Sequence, residues 1–425
     1  VTSTTHDDAP RAVIGQESYV ERLPRAWRER VAGRNVAVSA NFRDVVDTFD
    51  STGTGTPAGF CIEQRQLSDG ATEFDLVRDI GYGRDGQLRP TPLLFSVDSI
   101  NPYDIAPWAN LVANMTCNPG IVYDLFLNDP TKNIDGQYRT LEEVLTEVAG
   151  ILGSGCDVSV ELHNPFEASF DAIMEEVARY EAILSKHRLV VKVPHTGPIG
   201  PDTYGALLEG EGRFPQRYDQ GHPEDYLRGH QLALALHERG YRVNFTLMFE
   251  PYQTPLALQA HPYFINAFLR NRLSATRQMR GWVAAWEASG DESFLVRLRS
   301  WMVANDFLSP ADADLDLIKV LSKVQSHLRQ REIDNSMDDG LDAARQSLRW
   351  LAGSNLQDSR LILCSMEGDD MFPDLMRMLN EPEFTPLHHR VLITTDPVYL
   401  SRWTSSPQVI SYQRRFLKAV ASQLV

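Results

Sequence analysis

From residue 93 onward, short apolar runs alternate with longer segments in which apolar residues return every three or four positions. The runs are LLFSVD (93–98), LVANMTCN (111–118), DVSVEL (157–162), LVVKV (189–193), RVNFTLMF (242–249), YFINAF (263–268), RLILCS (360–365) and RVLITT (390–395). Runs this short, rich in Val, Ile, Leu and Phe, predict strands buried on both faces. Segments such as FDAIMEEVARYEAILSKH (170–187) and YLRGHQLALALHERG (226–240) predict amphipathic helices between them. Strand and helix alternating eight times predict an α/β protein, a (β/α)8 TIM barrel with its chemistry at the C-terminal ends of the strands.

Two regions exceed that repeat. Residues 1–90 precede the first strand and carry the helix-like stretches SYVERLPRAWRERVA and FRDVVDTFD, which predict an N-terminal extension packed on the barrel that fills 91–425. Between strands six and seven, about 274–358 is too long for one barrel helix; SFLVRLRSWMVAND, DLDLIKVLSKVQSHLRQ and GLDAARQSLRWLAG predict a helical insertion. After strand four, the Gly- and Pro-rich segment 195–226 predicts a loop at the barrel mouth and a candidate lid. Gly53, Gly55 and Gly59 resemble a dinucleotide fingerprint in spacing, but no strand precedes them, so they are assigned to a loop.

Composition narrows the partners. The 425 residues carry a formal charge of −16, which argues against nucleic acid. No apolar run approaches the roughly 20 residues of a membrane span, and VTSTTHDDAPRAV lacks the form of a secretory signal. Cys61, Cys117, Cys156 and Cys364 are far apart with no CxxC pair, as expected of reduced thiols in a cytoplasmic protein. No histidine pattern suits a metal, and EGDD (367–370) is expected to cap a helix rather than hold a cation. Neither metal nor cofactor is expected.

Residues two apart on a strand share a face. Val190 with Lys192, Asn244 with Thr246, Thr116 with Asn118, Ser96 with Asp98, and Asp157 with Ser159 and Glu161 each keep one parity. A common inward assignment gathers an amine, carboxylates, amides and hydroxyls. Lysine is almost never buried without a partner or a task. An unprotonated lysine attacks a ketone, and apolar walls are expected to depress the Lys192 pKa toward that form. The iminium then permits cleavage of a carbon–carbon bond if one carboxylate takes a hydroxyl proton and a second acid/base group dehydrates the carbinolamine. Asp98 and Glu161 are the carboxylates available. Taken singly, Lys192 is an ordinary strand-end ion-pair partner, Asp98 a cap and Asn118-Pro119 a turn; their order along the chain favours chemistry.

That ordered series, SVDSI, NMTCNPG, VSVELHNPFEASFD, VVKVPHTG, VNFTLMF and INAFLRNR, resembles the transaldolase family of class I aldolases, which includes fructose-6-phosphate aldolases. The resemblance implies Lys192 as the Schiff-base lysine and Asp98 as the acid/base at the reacting bond. Glu161 and Thr246 would handle water and protons. Asn118 and Asn244 would hold hydroxyls of a dihydroxyacetone unit, and Thr116 would line the site. Phe268 and Ser365 fall at the family's sixth- and seventh-strand positions, and the sixth-strand arginine corresponds to Arg270 or Arg272. After strand seven the family's Ser-Phe-Arg, whose arginine grips phosphate, is replaced by Ser365, Met366 and Glu367, and the serine after Asn-Pro by Gly120. The expected activity is transaldolase-like carbon–carbon bond formation or cleavage on a ketose or dihydroxyacetone-type donor. The altered clamp suggests a specialised substrate, a small sugar or sugar-phosphate-like molecule, with membranes and nucleic acid excluded and homo-oligomerisation left open. Two readings compete: a non-catalytic barrel acting as a binding partner, and an aldolase using an aldehyde donor.

Overall fold

The computed structural model describes residues 9–49, 55–153, 156–209, 214, 216–331, 340–366 and 371–422. All eight apolar runs are strands: β5 (Leu94–Asp98), β6 (Val112–Thr116), β7 (Asp157–Glu161), β8 (Arg188–Pro194), β9 (Arg242–Met248), β10 (Phe264–Phe268), β11 (Arg360–Cys364) and β12 (Val391–Thr395). They pair in parallel, and β12 returns to β5 through Leu392↔Leu94 and Thr394↔Ser96, closing the barrel. This is the predicted (β/α)8 architecture. Around it run α4 (Pro102–Ile105), α5 (Leu141–Leu152), α6 (Phe170–Ile183), α7 (Pro223–Glu238), α8 (Gln253–Leu258), α13 (Met371–Leu379) and α14 (Pro397–Thr404). The helix starts are locally encoded: the Thr140 and Ser169 side chains accept hydrogen bonds from Glu143 N and Ala172 N at the starts of α5 and α6.

Strand parity divides the core in two. Val191 and Val193 face outward and join Ile173, Val177, Leu232 and Leu236 of the surrounding helices. Val190 faces inward with Leu94, Phe264, Ile362 and Leu392, and Ile80, from the segment before the barrel, joins them. Above that apolar layer Asn114 donates to Ser96 Oγ at 2.8 Å and accepts from Ser159 Oγ at 2.9 Å.

The N-terminal region differs from its expected helical character. It contains α1 (Glu17–Arg22), α2 (Arg25–Arg30) and α3 (Ala40–Phe49), but also β1 (Arg11–Ala12), β2 (Asn35–Val38), β3 (Phe60–Gln66) and β4 (Thr72–Arg78), in a four-stranded sheet ordered β1-β2-β4-β3. The stretch 18–32 splits because Leu23, which precedes Pro24, is held extended at φ −59° and ψ 136°. The sheet has its own core of Val36, Val38, Phe42, Phe74 and Leu76. It meets the N-terminal end of the barrel through Arg78–Asp157, Arg188 Nη1 to Ala58 O, and Arg360 Nη2 to Asp79 at 3.0 Å.

Between β10 and β11 the chain forms α9 (Arg270–Ser289), α10 (Ser293–Ala304), α11 (Leu317–Arg329) and α12 (Asp342–Ala352). The first three enclose Met279, Leu295, Leu298, Met302, Val320 and Val324, with Trp301 stacked on Phe307 at 5.3 Å. The last helix, α15 (Pro407–Ala421), buries no side chain. No described helix is long and apolar enough to cross a membrane.

Candidate active site

Lys192 lies near the C-terminal end of β8 and is only 3% exposed. Its orientation is fixed from both sides of the strand. Pairing with β7 sets Glu161 beside it, and pairing with β9 sets Asn244 on the other flank. Beyond β8, Thr196 Oγ1 donates to Asp225 O at 2.7 Å and accepts from Gly229 N at 3.2 Å, tying the strand's exit to α7. Gly229 is required there, because a Cβ would collide with the Pro194 carbonyl.

The amine donates to Glu161 Oε2 at 3.1 Å and to Cys117 O at 3.4 Å. Burial alone would lower the Lys192 pKa, but the negative charges of Glu161 and Asp98 outweigh it and raise the amine above its ordinary value. This corrects the expectation of a depressed lysine: the walls include two carboxylates, so the free protein holds an ammonium. Asp98 shows the opposite balance. Its burial, opposed by Lys192 and reinforced by Asp396 and Glu161, pushes the carboxyl up to about 6.

Lys192, Asp98, Thr116, Asn118, Phe268, Arg270 and Ser365 line one cavity of about 410 Å³ at the C-terminal mouth. Seven sequence-derived candidates thus meet there, with Glu161 bonded to the lysine. The Thr116 hydroxyl has no hydrogen-bond partner among the described residues. Asn118 Oδ1 accepts from Ile121 N at 2.9 Å, capping a π-helical turn over Gly120–Leu127 that supplies Ile121, Asp124 and Leu125 to the wall. Phe268 packs on Phe249 with centroids 4.9 Å apart. Ser365, at φ +51°, turns its carbonyl onto Arg270 N at 2.6 Å.

Other candidates stand apart from that wall. Asn244 and Thr246 are fully buried and do not line the cavity. Neither amide atom of Asn244 has a partner among the described residues, and Thr246 Oγ1 accepts from Asn266 Nδ2 at 3.3 Å. Of the two arginines, Arg270 reaches the cavity, donating to Met366 O at 3.1 Å and Tyr399 OH at 3.2 Å. Arg272 turns away, pairing with Asp342 at 2.6 Å and Glu250 at 2.5 Å. Glu367 and the EGDD segment lie outside the described residues. His195, at the loop beginning the candidate lid, packs edge-on to Phe245 at 4.5 Å, and burial lowers its pKa to about 4.

Several lining residues were not singled out from the sequence, among them the polar groups Asp124, Asp396 and Tyr399. Asp396 caps α14 by accepting from Tyr399 N at 2.8 Å and also borders an adjoining hollow of about 390 Å³ that shares Asp98, Ile121 and Leu125. Its place directly after the eighth strand was the available signal, since barrel strands deliver functional groups from that end. Among the described residues no cluster of three or more His, Cys, Asp or Glu side chains is arranged to hold a metal ion.

The family model for transaldolase/fructose-6-phosphate aldolase matches residues 95–285, from the first barrel strand into α9. No curated protein matches the chain. The match supports an aldolase- or transaldolase-type enzyme in general. Together with the closed parallel barrel, it supports a member of the transaldolase/fructose-6-phosphate aldolase family.

Proposed function

We propose that the protein makes or breaks a carbon–carbon bond through a Schiff base between Lys192 and a ketose or dihydroxyacetone-type donor. The observation that carries this reading is the buried Lys192–Glu161 pair at 3.1 Å, whose lysine lines a cavity that also holds Asp98. Transfer of the ammonium proton to Glu161 frees the Nζ lone pair for attack on the donor ketone. Returning that proton to the carbinolamine hydroxyl expels water and leaves the iminium. Asp98, ionised above about pH 6, takes the proton from the hydroxyl on the carbon beyond the α-carbon. The bond between the two carbons breaks, its electron pair passes into the iminium to form an enamine, and an aldehyde leaves. Formation of a new bond runs these steps in reverse with an acceptor aldehyde.

In this reading Thr116, Asn118 and Asn266 contact the donor hydroxyls, and Phe268 covers its carbon skeleton. Arg270, the one arginine among the described lining residues, meets the distal end of the substrate. The other carboxylates in the wall, Asp124 and Asp396, disfavour a second anionic group. This is consistent with a specialised sugar carrying at most one phosphate.

The test is borohydride trapping with dihydroxyacetone, fructose 6-phosphate and sedoheptulose 7-phosphate, followed by intact and peptide masses. A reduced adduct on the Lys192 peptide, absent in Lys192→Ala, is expected from at least one donor. A folded wild-type chain that traps none of them favours the non-catalytic barrel. Efficient exchange between fructose 6-phosphate and erythrose 4-phosphate would refute the specialised substrate while leaving the chemistry intact.

A further inference from the structure

At the barrel end opposite Lys192, positive charge is gathered that the aldol chemistry does not use. Arg78 of β4, Arg188 at the start of β8 and Arg242 at the start of β9 all act on one carboxylate, Asp157. Burial would raise the Asp157 pKa, but the three guanidiniums outweigh it and hold the carboxyl below its usual range. Arg78 and Arg188 donate to Asp157 Oδ1, whereas Arg242 has neither an ion pair nor a side-chain hydrogen bond among the described residues. Burial and the neighbouring Arg78 depress the Arg242 pKa to about 10, with Asp157 opposing them.

These groups surround one ring. The guanidinium carbons of Arg78, Arg242 and Arg360 lie 5.0, 6.0 and 5.9 Å from the centre of Tyr263. Arg360 is answered by Asp79 at 3.0 Å. The Tyr263 residue is 9% exposed, and its hydroxyl stands by Arg78 without a hydrogen bond of regular geometry. Arg78 Nε and Nη1 are likewise buried without an acceptor among the described residues. Buried donors with no acceptor are costly unless something else supplies one.

An acceptor has room to enter. A crevice of about 620 Å³ opens between the N-terminal sheet and the barrel, with Arg78, Arg242 and Tyr263 in its wall and His237, His261 and Ser359 beyond them. That volume suits a small organic ligand. The chain as a whole is strongly acidic, at −16, so this hollow does not reflect a generally basic surface. The apolar layer of Ile80, Val190, Phe264, Ile362 and Leu392 separates it from the Lys192 cavity.

We propose that this crevice is a second binding site, taking the phosphate group of a small organic phosphate on the guanidiniums of Arg242 and Arg78 and the hydroxyl of Tyr263. The planar forks of two arginines suit phosphate oxygens, and the organic part lies toward His237 and His261.

Isothermal titration of the whole chain with inorganic phosphate and with pyrophosphate tests this. One saturable site is expected, weakened at least about tenfold by Arg242→Gln and to a smaller degree by Tyr263→Phe. Arg270→Gln, at the other mouth, leaves it unchanged. Both crevice variants are expected to keep the wild-type Tm and the wild-type borohydride adduct at Lys192. Two outcomes overturn the proposal. One is no saturable binding up to millimolar probe, in which case the arginines only anchor the sheet. The other is binding lost in Arg270→Gln but retained in Arg242→Gln.

Discussion

Burial decides the protonation balance of Asp98 and is overruled at Lys192. A lysine at 3% exposure keeps its proton because Glu161 and Asp98 face it, and Asp98 gains affinity for its own because desolvation outweighs Lys192. For the cleavage direction Asp98 must be ionised, so kcat/KM is expected to rise with pH through a limb near 6. Asp98→Asn should remove that limb along with most of the turnover. The linked stability effect has a definite sign. The carboxyl binds its proton more tightly folded than unfolded, so its contribution is favourable below the unfolded pKa and is lost as pH rises through about 6. Asp98→Asn should therefore raise Tm relative to wild type at pH 8 and leave it nearly unchanged at pH 4, as thermal scans across pH would show. The two arginines separate in the same way. Arg270→Gln is expected to raise KM, while Arg272→Ala strands the buried Asp342 and should cost about 3 kcal/mol in a denaturant titration. Strand parity made the inward residues legible in the sequence. The lysine's charge state was not, because it depends on a carboxylate across a strand pair and another from three strands away.

The same contrast holds for whole elements. Barrel strands announce themselves because both of their faces are buried, so nearly every residue in β6, β11 and β12 is apolar or a small polar group. In β4 only alternate positions are buried: Phe74 and Leu76 point to the sheet's core while Glu73, Asp75 and Val77 point away. In TEFDLVR, preceded by a loop and flanked by charge, that period of two is too short to stand out, and its antiparallel partner β3 ends in four exposed polar residues. The helical insertion was legible because α10 and α11 carry apolar stripes at helical spacing. The sheet's seat on the barrel can be tested at one glycine. Gly59 has φ +77°, and a Cβ there would run into the Arg188 guanidinium. Gly59→Ala should cost about 2 kcal/mol or more through backbone strain and displacement of Arg188, read as a lower Tm, while the Lys192 adduct still forms in the folded fraction.

At the scale of the molecule, the chain spends its additions unevenly. The N-terminal sheet covers one end of the barrel, and the long excursion between β10 and β11 builds a second apolar centre without breaking their pairing, which runs unshifted from Phe264↔Arg360 to Phe268↔Cys364. Such an arrangement could not be foreseen from length or charge, which only permitted it. Closure rests on β12, the last strand of the barrel, meeting β5, the first. During synthesis the barrel is therefore an open sheet with unpaired edges on β5 and β11 until β12 has left the ribosome. A polypeptide stopped before Val391 is expected to sediment with aggregates rather than remain in the supernatant. Premature termination in this gene product would thus be exposed to quality-control proteases as an all-or-nothing loss, with no partly working fragment to survive it.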